Sequence, residues 1–198
     1  MGSLIRLATP ADGAALAAIY APHVEQRATS FELAAPDAAQ MAQRIAAVLA
    51  RWPWLVYERD GQVLGYCYAS AFAERAAYQW SVTVTAYVDA AHLRCGVGRS
   101  LYTVLFELLR RQGLFNAFAG ITLPNEASVG MHSALGFEHV GLYPRVGFKL
   151  GRWHDVAWLG LHLQPQQDDQ EPPAPRLLPA LLASGELAGL LPRTLRQA

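Results

Sequence analysis

The stretch from Ala86 to Leu101 restricts the fold of this chain more than any other. It reads AYVDAAHLRCGVGRSL. The residues from Tyr78 to Val88 are rich in Val, Thr and aromatics, which suits a strand. A loop carrying Arg94, Gly96 and Gly98 follows. Leu101, Val104, Leu105 and Leu108 then recur at helical spacing, which predicts an amphipathic helix over 97–112. A second strand-like run spans Phe115 to Leu123. A strand, a helix and another strand in that order form a βαβ crossover, so part of the sheet is parallel. The loop also has a chemical reading. Glycines let the backbone approach a ligand closely. The free N–H groups at a helix start favour phosphate through hydrogen bonds and the helix dipole, and Arg94 and Arg99 add positive charge there. The design is that of a pyrophosphate cradle. It is neither a P-loop, which needs Gly-Lys-Ser/Thr, nor a complete GxGxxG opening a first βα unit.

The flanking segments complete an α/β domain over residues 1–163. Ile5 and Leu7 suit a short first strand. Thr9-Pro10-Ala11-Asp12 reads as an N-cap with proline at the first helical position, and a helix follows to about Val24. Asp37 to Ala50 is a second helix, with Met41, Ile45, Val48 and Leu49 apolar. Arg59-Asp60-Gly61 joins two apolar runs as a hairpin turn. Residues 125–135 are helical, and Val140 to Phe148 and Val156 to Leu163 close the sheet. The predicted order is βααβββαβαββ with a mixed sheet. Residues 164–175, QPQQDDQEPPAP, suit an extended linker. Residues 176–198 form a Leu-rich tail, interrupted by Pro179, Gly185, Gly189 and Pro192, that docks on the domain, swaps between subunits, hangs free or serves as an interaction segment.

Composition removes several function classes. Lys plus Arg is 16 and Asp plus Glu is 16, and Lys149 is the only lysine. A broad basic surface for nucleic acid is not expected. No apolar run has the length of a membrane span, and the start MGSLIRLATPADG lacks a signal-peptide pattern. Cys67 and Cys95 are too few for a disulfide scaffold or a structural zinc site, and no His/Cys cluster has metal-ligand spacing. These features lead us to expect a reduced, cytoplasmic location.

The words Arg51-Trp-Pro-Trp-Leu-Val, Ala77-Tyr-Gln-Trp, Gly98-Arg-Ser-Leu-Tyr, Leu123-Pro-Asn, Met131-His-Ser-Ala-Leu-Gly-Phe, Gly147-Phe-Lys and Trp153-His-Asp-Val carry a resemblance. In this order, the chain resembles the phosphinothricin N-acetyltransferase family of the GNAT superfamily. The resemblance implies a GNAT fold whose splayed parallel strands, 79–88 and 116–123, admit the pantetheine arm of acetyl-CoA. It implies that the backbone at Ala86, Tyr87 and Val88 pairs with that arm. Arg94, Cys95, Gly96, Val97, Gly98 and Arg99 then hold the pyrophosphate, with Asn125 and Ser128 on the other side. The implied reaction is direct attack of a small amine on the thioester in a ternary complex, with the N–H near Val88 facing the oxyanion. A homodimer is implied as well.

Three positions depart from the family pattern. The family's proposed base is a glutamate where this chain has Thr83, and a threonine hydroxyl has no useful basicity near neutral pH. Thr83 could orient a relaying water, Glu74 or Glu32 could supply a carboxylate, or the amine could arrive partly neutral. Leu93 stands where the loop motif has Gln or Arg. His132 stands where many GNATs have a tyrosine acid; it either donates to the leaving thiolate or is a helix histidine satisfied by a backbone group. For the acceptor, Arg75 matches a cationic position and can grip one anionic group, with Phe31, Glu74 and Tyr78 nearby. The alternative to an enzyme is an impaired acyl-CoA-binding sensor, which Thr83 raises.

Overall fold

The computed structural model describes residues 2–195, with side chains to Pro192. Met1 and residues 196–198, the outer ends of the expected domain and tail, lie outside the described residues. The chain runs β1 (Ser3–Leu7), α1 (Gly13–Glu25), α2 (Ala38–Leu49), β2 (Trp54–Arg59), β3 (Gln62–Ala71), β4 (Ser81–Val88), α3 (Val97–Arg111), β5 (Asn116–Thr122), α4 (Glu126–Ala134), β6 (Glu138–Lys149) and β7 (Arg152–His162). This is the expected order. The tail adds a short helix, α5 (Leu178–Ala183), and a last strand, β8 (Arg193–Leu195).

Among the described residues, one sheet holds all eight strands, in the order β6-β7-β5-β4-β3-β2-β1-β8. Strand alternation sends residues to opposite faces. In β2, Leu55 and Tyr57 join α3 in one core, while Trp54 and Val56 join α1 and α2 in the other. The stripe expected on α3 is realised, with Leu101, Val104, Leu105 and Leu108 all buried.

The pair β4 and β5 is parallel, but only Ser81, Val82 and Thr83 pair, with Asn116, Ala117 and Phe118. β4 stays joined to β3 as far as Val88, and β5 to β7 as far as Thr122. Past Thr83 the two strands therefore diverge, and each presents an open edge to the gap.

Two local details differ from the expected elements. The strand begins at Ser81 rather than Tyr78, because Ala76–Tyr78 form a 3-10 turn in which Tyr78 N–H donates to Arg75 O at 2.9 Å. β6 and β7 extend toward each other into one long hairpin. Leu150 and Gly151 close it with φ of 51° and 78°, the positive pair that a tight primed turn requires.

The tail docks on the domain. Leu178, Leu181 and Leu187 are buried in the α3-side core. Gln112 Nε2 donates to the carbonyls of Arg51 and Arg176, Leu178 N–H donates to Arg51 O, and Arg176 pairs with Glu186. Within the preceding segment, Pro173 O accepts from Trp80 Nε1. β8 pairs antiparallel with β1 and covers that edge of the sheet.

Candidate active site

The gap between β4 and β5 opens into a cleft of about 490 Å³, within the range of small-molecule sites. Its walls include Val84 to Val88, Gly120 to Thr122, the loop after β4, the start of α3 and one side of α4. Asp89 N–H donates to Leu64 O, and Val88 lies opposite Gly65. By the antiparallel alternation, Val88 and Ala86 turn their own N–H and C=O groups away from β3 and toward the gap. The cleft thus has an unpaired strand edge along its length.

At one end of that edge lies the start of α3. Gly96 is its N-cap, with φ of 77° and no side-chain cap. The first helical bond runs from Ser100 N–H to Gly96 O, so the N–H groups of Val97, Gly98 and Arg99 have no partner within the helix. Arg94 holds a positive φ of 61°, an uncommon state for a residue with a Cβ. A Cβ on Gly98 would come within 2.9 Å of Met131 Sδ, so glycine is what allows α3 and α4 to meet here. Arg94, Arg99 and Arg27 line the cleft and no carboxylate does. Unpaired N–H groups and cations at one end, and an open strand edge beyond them, fit the diphosphate and amide-bearing arm of an acyl-CoA.

Two further groups face this space. Asn125 caps α4 by accepting from Ser128 N–H at 3.2 Å. His132, on the same helix, is buried. Its Nδ1–H donates to Ser128 O at 2.8 Å, and its Nε2 accepts from Tyr102 O–H at 3.3 Å. Burial lowers the pKa of the ring, opposed in part by the Ser128 carbonyl, while burial raises that of Tyr102. The pair is a neutral imidazole and a neutral phenol at neutral pH.

The acetyltransferase (GNAT) domain family matches this chain over residues 5–158. The chain belongs to the GNAT acetyltransferases. It is 38% identical over 171 residues to a phosphinothricin N-acetyltransferase of Streptomyces viridochromogenes, covering 86% of this chain and 90% of that protein. It is 35% identical over 160 residues to the L-methionine sulfoximine/L-methionine sulfone acetyltransferase of Salmonella typhimurium, covering 80% and 94%. A phosphinothricin acetyltransferase of Sinorhizobium meliloti, solved with acetyl-CoA, superposes with a TM-score of 0.81 at 32% identity, over 87% of this chain and 94% of that one. The acyl donor of this GNAT enzyme is acetyl-CoA, and its reaction is acetyl transfer to an amine.

The structure gathers most of the residues expected for the donor. Ala86, Tyr87, Val88, Arg94, Gly96, Val97, Gly98, Arg99, Asn125, Ser128 and His132 all line this cleft of the GNAT fold. Cys95 does not; it is exposed, and its thiol faces Leu93 O. Thr83 sits at the fork where β4 and β5 part, just outside the walls.

The residues expected for the acceptor are not brought to the cleft. Glu74, Arg75 and Tyr78 are exposed around the 3-10 turn, with Tyr78 against Phe72. Phe31 lies over Gly147, where a Cβ would collide with its ring. Lys149 Nζ donates to Ser30 O at 2.6 Å and ties that loop to the β6–β7 hairpin. Glu32 is held by the two terminal guanidinium nitrogens of Arg44, at 2.7 and 2.9 Å, and by Tyr20 O–H. Arg44 foremost keeps its pKa low. Among the described residues, no group of three or more His, Cys, Asp or Glu could hold a metal ion, and no helix is long and apolar enough to cross a membrane.

Sequence reasoning missed His23, Arg27, Thr29 and Tyr102, which also line the cleft. Tyr102 sits in the apolar register of α3 and reads as core. His23 ends a helix whose face gives no sign that it approaches β4.

Proposed function

We propose that this GNAT acetyltransferase acetylates the amine of a small amino acid or amino-acid analogue in the chemical class of methionine sulfoximine and phosphinothricin. The observation that carries this reading is the open edge of β4 leading into the uncapped start of α3. Relatives named for such acceptors match the chain over most of its length.

In this reading Ala86 and Val88 pair with the donor's arm, and the N–H groups of residues 94–99 receive its diphosphate. Val88 N–H faces the oxygen that becomes negative during attack, a fixed donor that strengthens as charge develops. The departing sulfur takes up the second proton that the attacking amine releases, beside the Tyr102–His132 pair that relays it. Thr83 orients the acceptor at the fork. Phe31, Glu74, Arg75 and Tyr78 stand outside this cleft and carry no part of the reading. The β6–β7 hairpin exposes Val140, Leu142, Tyr143, Val146 and Phe148. A patch of this kind suits association of two copies. The balance of charge argues against a nucleic-acid partner, and two free thiols suit the reducing cytoplasm.

Calorimetry with acetyl-CoA, followed by CoA release across a panel of amino acids, methionine sulfoximine and phosphinothricin, tests the proposal. Saturable binding and amine-dependent release are expected. Binding without release on any amine would make the chain an acyl-CoA sensor, as Thr83 allows.

A further inference from the structure

We propose that His23 is the catalytic base that takes the proton from the acceptor's ammonium. The proposal rests on the acetyltransferase reading above. A free aliphatic amine is mostly protonated near neutral pH and cannot attack a thioester until it loses that proton.

The titratable groups that line the cleft are His23, His92, His132, Arg27, Arg94, Arg99, Tyr87 and Tyr102. The arginines stay protonated. Burial raises the pKa of both tyrosines, so neither offers a phenolate. His132 has both nitrogens engaged, by Ser128 O and by Tyr102 O–H. His92 is paired with Asp89 at 3.0 Å and stands two residues before Arg94, at the phosphate end. The two carboxylates nearest in sequence to the acceptor segments do not serve: Glu32 is clamped by Arg44, and Glu74 is exposed beyond the cleft.

His23 meets the requirement. It lies on the last turn of α1, with its ring 4.8 Å from that of Tyr87 on β4. Nδ1 is 2.9 Å from Thr29 Oγ1. With Nδ1–H donating to that hydroxyl, Nε2 carries a lone pair, and among the described residues Nε2 has no protein hydrogen-bond partner. It is not among the buried atoms lacking one, so it has accessible surface, and the residue lines the cleft. Arg27, on the following loop, is the charged group that faces it. Tyr87 packs against it and Tyr20 against Tyr87, both as neutral phenols, and Glu32 sits beyond Tyr20. Burial first, and Arg27 second, push the His23 pKa down to about 4, so the ring is neutral at neutral pH, with a lone pair about as basic as a carboxylate.

The protons balance. An acceptor ammonium loses two in forming the amide. One passes to His23 Nε2 and on to water. The other leaves the nitrogen after the C–N bond forms and ends on the sulfur, which departs with the C–S electron pair.

The test compares wild type with His23→Gln and His23→Ala in the full chain. We expect kcat to fall about 100-fold or more in both, with the acetyl-CoA Kd unchanged and the melting temperature of His23→Gln close to that of wild type at pH 7. Wild-type kcat is expected to stay flat between pH 6 and 8, while the variants gain about tenfold per unit because they depend on amine already deprotonated. An acceptor whose amine is neutral at the assay pH should bring variant and wild type together. Retained kcat with a flat profile in His23→Gln would overturn the proposal, as would an equal loss on the neutral amine, which marks a structural role. Absence of turnover by wild type on every amine would overturn the acetyltransferase reading itself.

Discussion

Replacing Leu181 by alanine tests whether the tail is part of the fold. Leu181 is 0% exposed, and its neighbour Leu182 on the same short helix is 43% exposed. Leu181 stands in the core shared with α3, so truncation removes buried methyl groups and leaves a cavity. Such a change costs about 2–5 kcal/mol. For a chain of this size, that lowers the melting temperature by roughly 4–20 °C. Leu182→Ala removes the same atoms from a half-exposed site and is expected to cost no more than about 0.5 kcal/mol. The pair shares helix propensity and tail composition, so the difference between them reports burial. Urea unfolding of both variants, followed by far-UV circular dichroism, supplies the measurement. Equal and small losses would refute the docked tail.

Asn125→Ala removes the cap of α4 and should cost about 0.5–2 kcal/mol of stability, with weaker acetyl-CoA binding by calorimetry, because Ser128 and His132 ride on that helix. Stability should fall between pH 7 and 4. His23 is neutral in the fold and has a lowered pKa of about 4, so the unfolded chain binds its proton first as pH drops below the ordinary histidine range near 6.5. His23→Gln should flatten that part of a melting-temperature profile.

Local signals carried far along this chain. Asp60-Gly61 is a tight turn whose residues both take positive φ, and that preference is local. The stripe of α3 and the Gly96 loop were readable for the same reason, which is why the donor side of the cleft was legible. The Leu150-Gly151 turn was not, because leucine is a poor resident of the positive-φ region and gives no turn signal. The tail's docking depends on Gln112 and Arg51, far away in sequence. His23 and Tyr102 depend on which helix crosses which strand. Most of the acceptor residues, Glu74, Arg75 and Tyr78, were drawn from one loop by resemblance. The fold turns Glu74 and Arg75 outward and sends the end of α1 to the cleft instead.

The central claim is that the cleft between β4 and β5 brings an amine to acetyl-CoA. The most direct measurement is mass-spectrometric detection of N-acetylated methionine sulfoximine formed by the purified chain with acetyl-CoA. Product that accumulates catalytically, at a rate on the order of 1–1,000 per second, is the predicted result. Acetyl-CoA bound and left intact in the presence of every amine offered would contradict the claim.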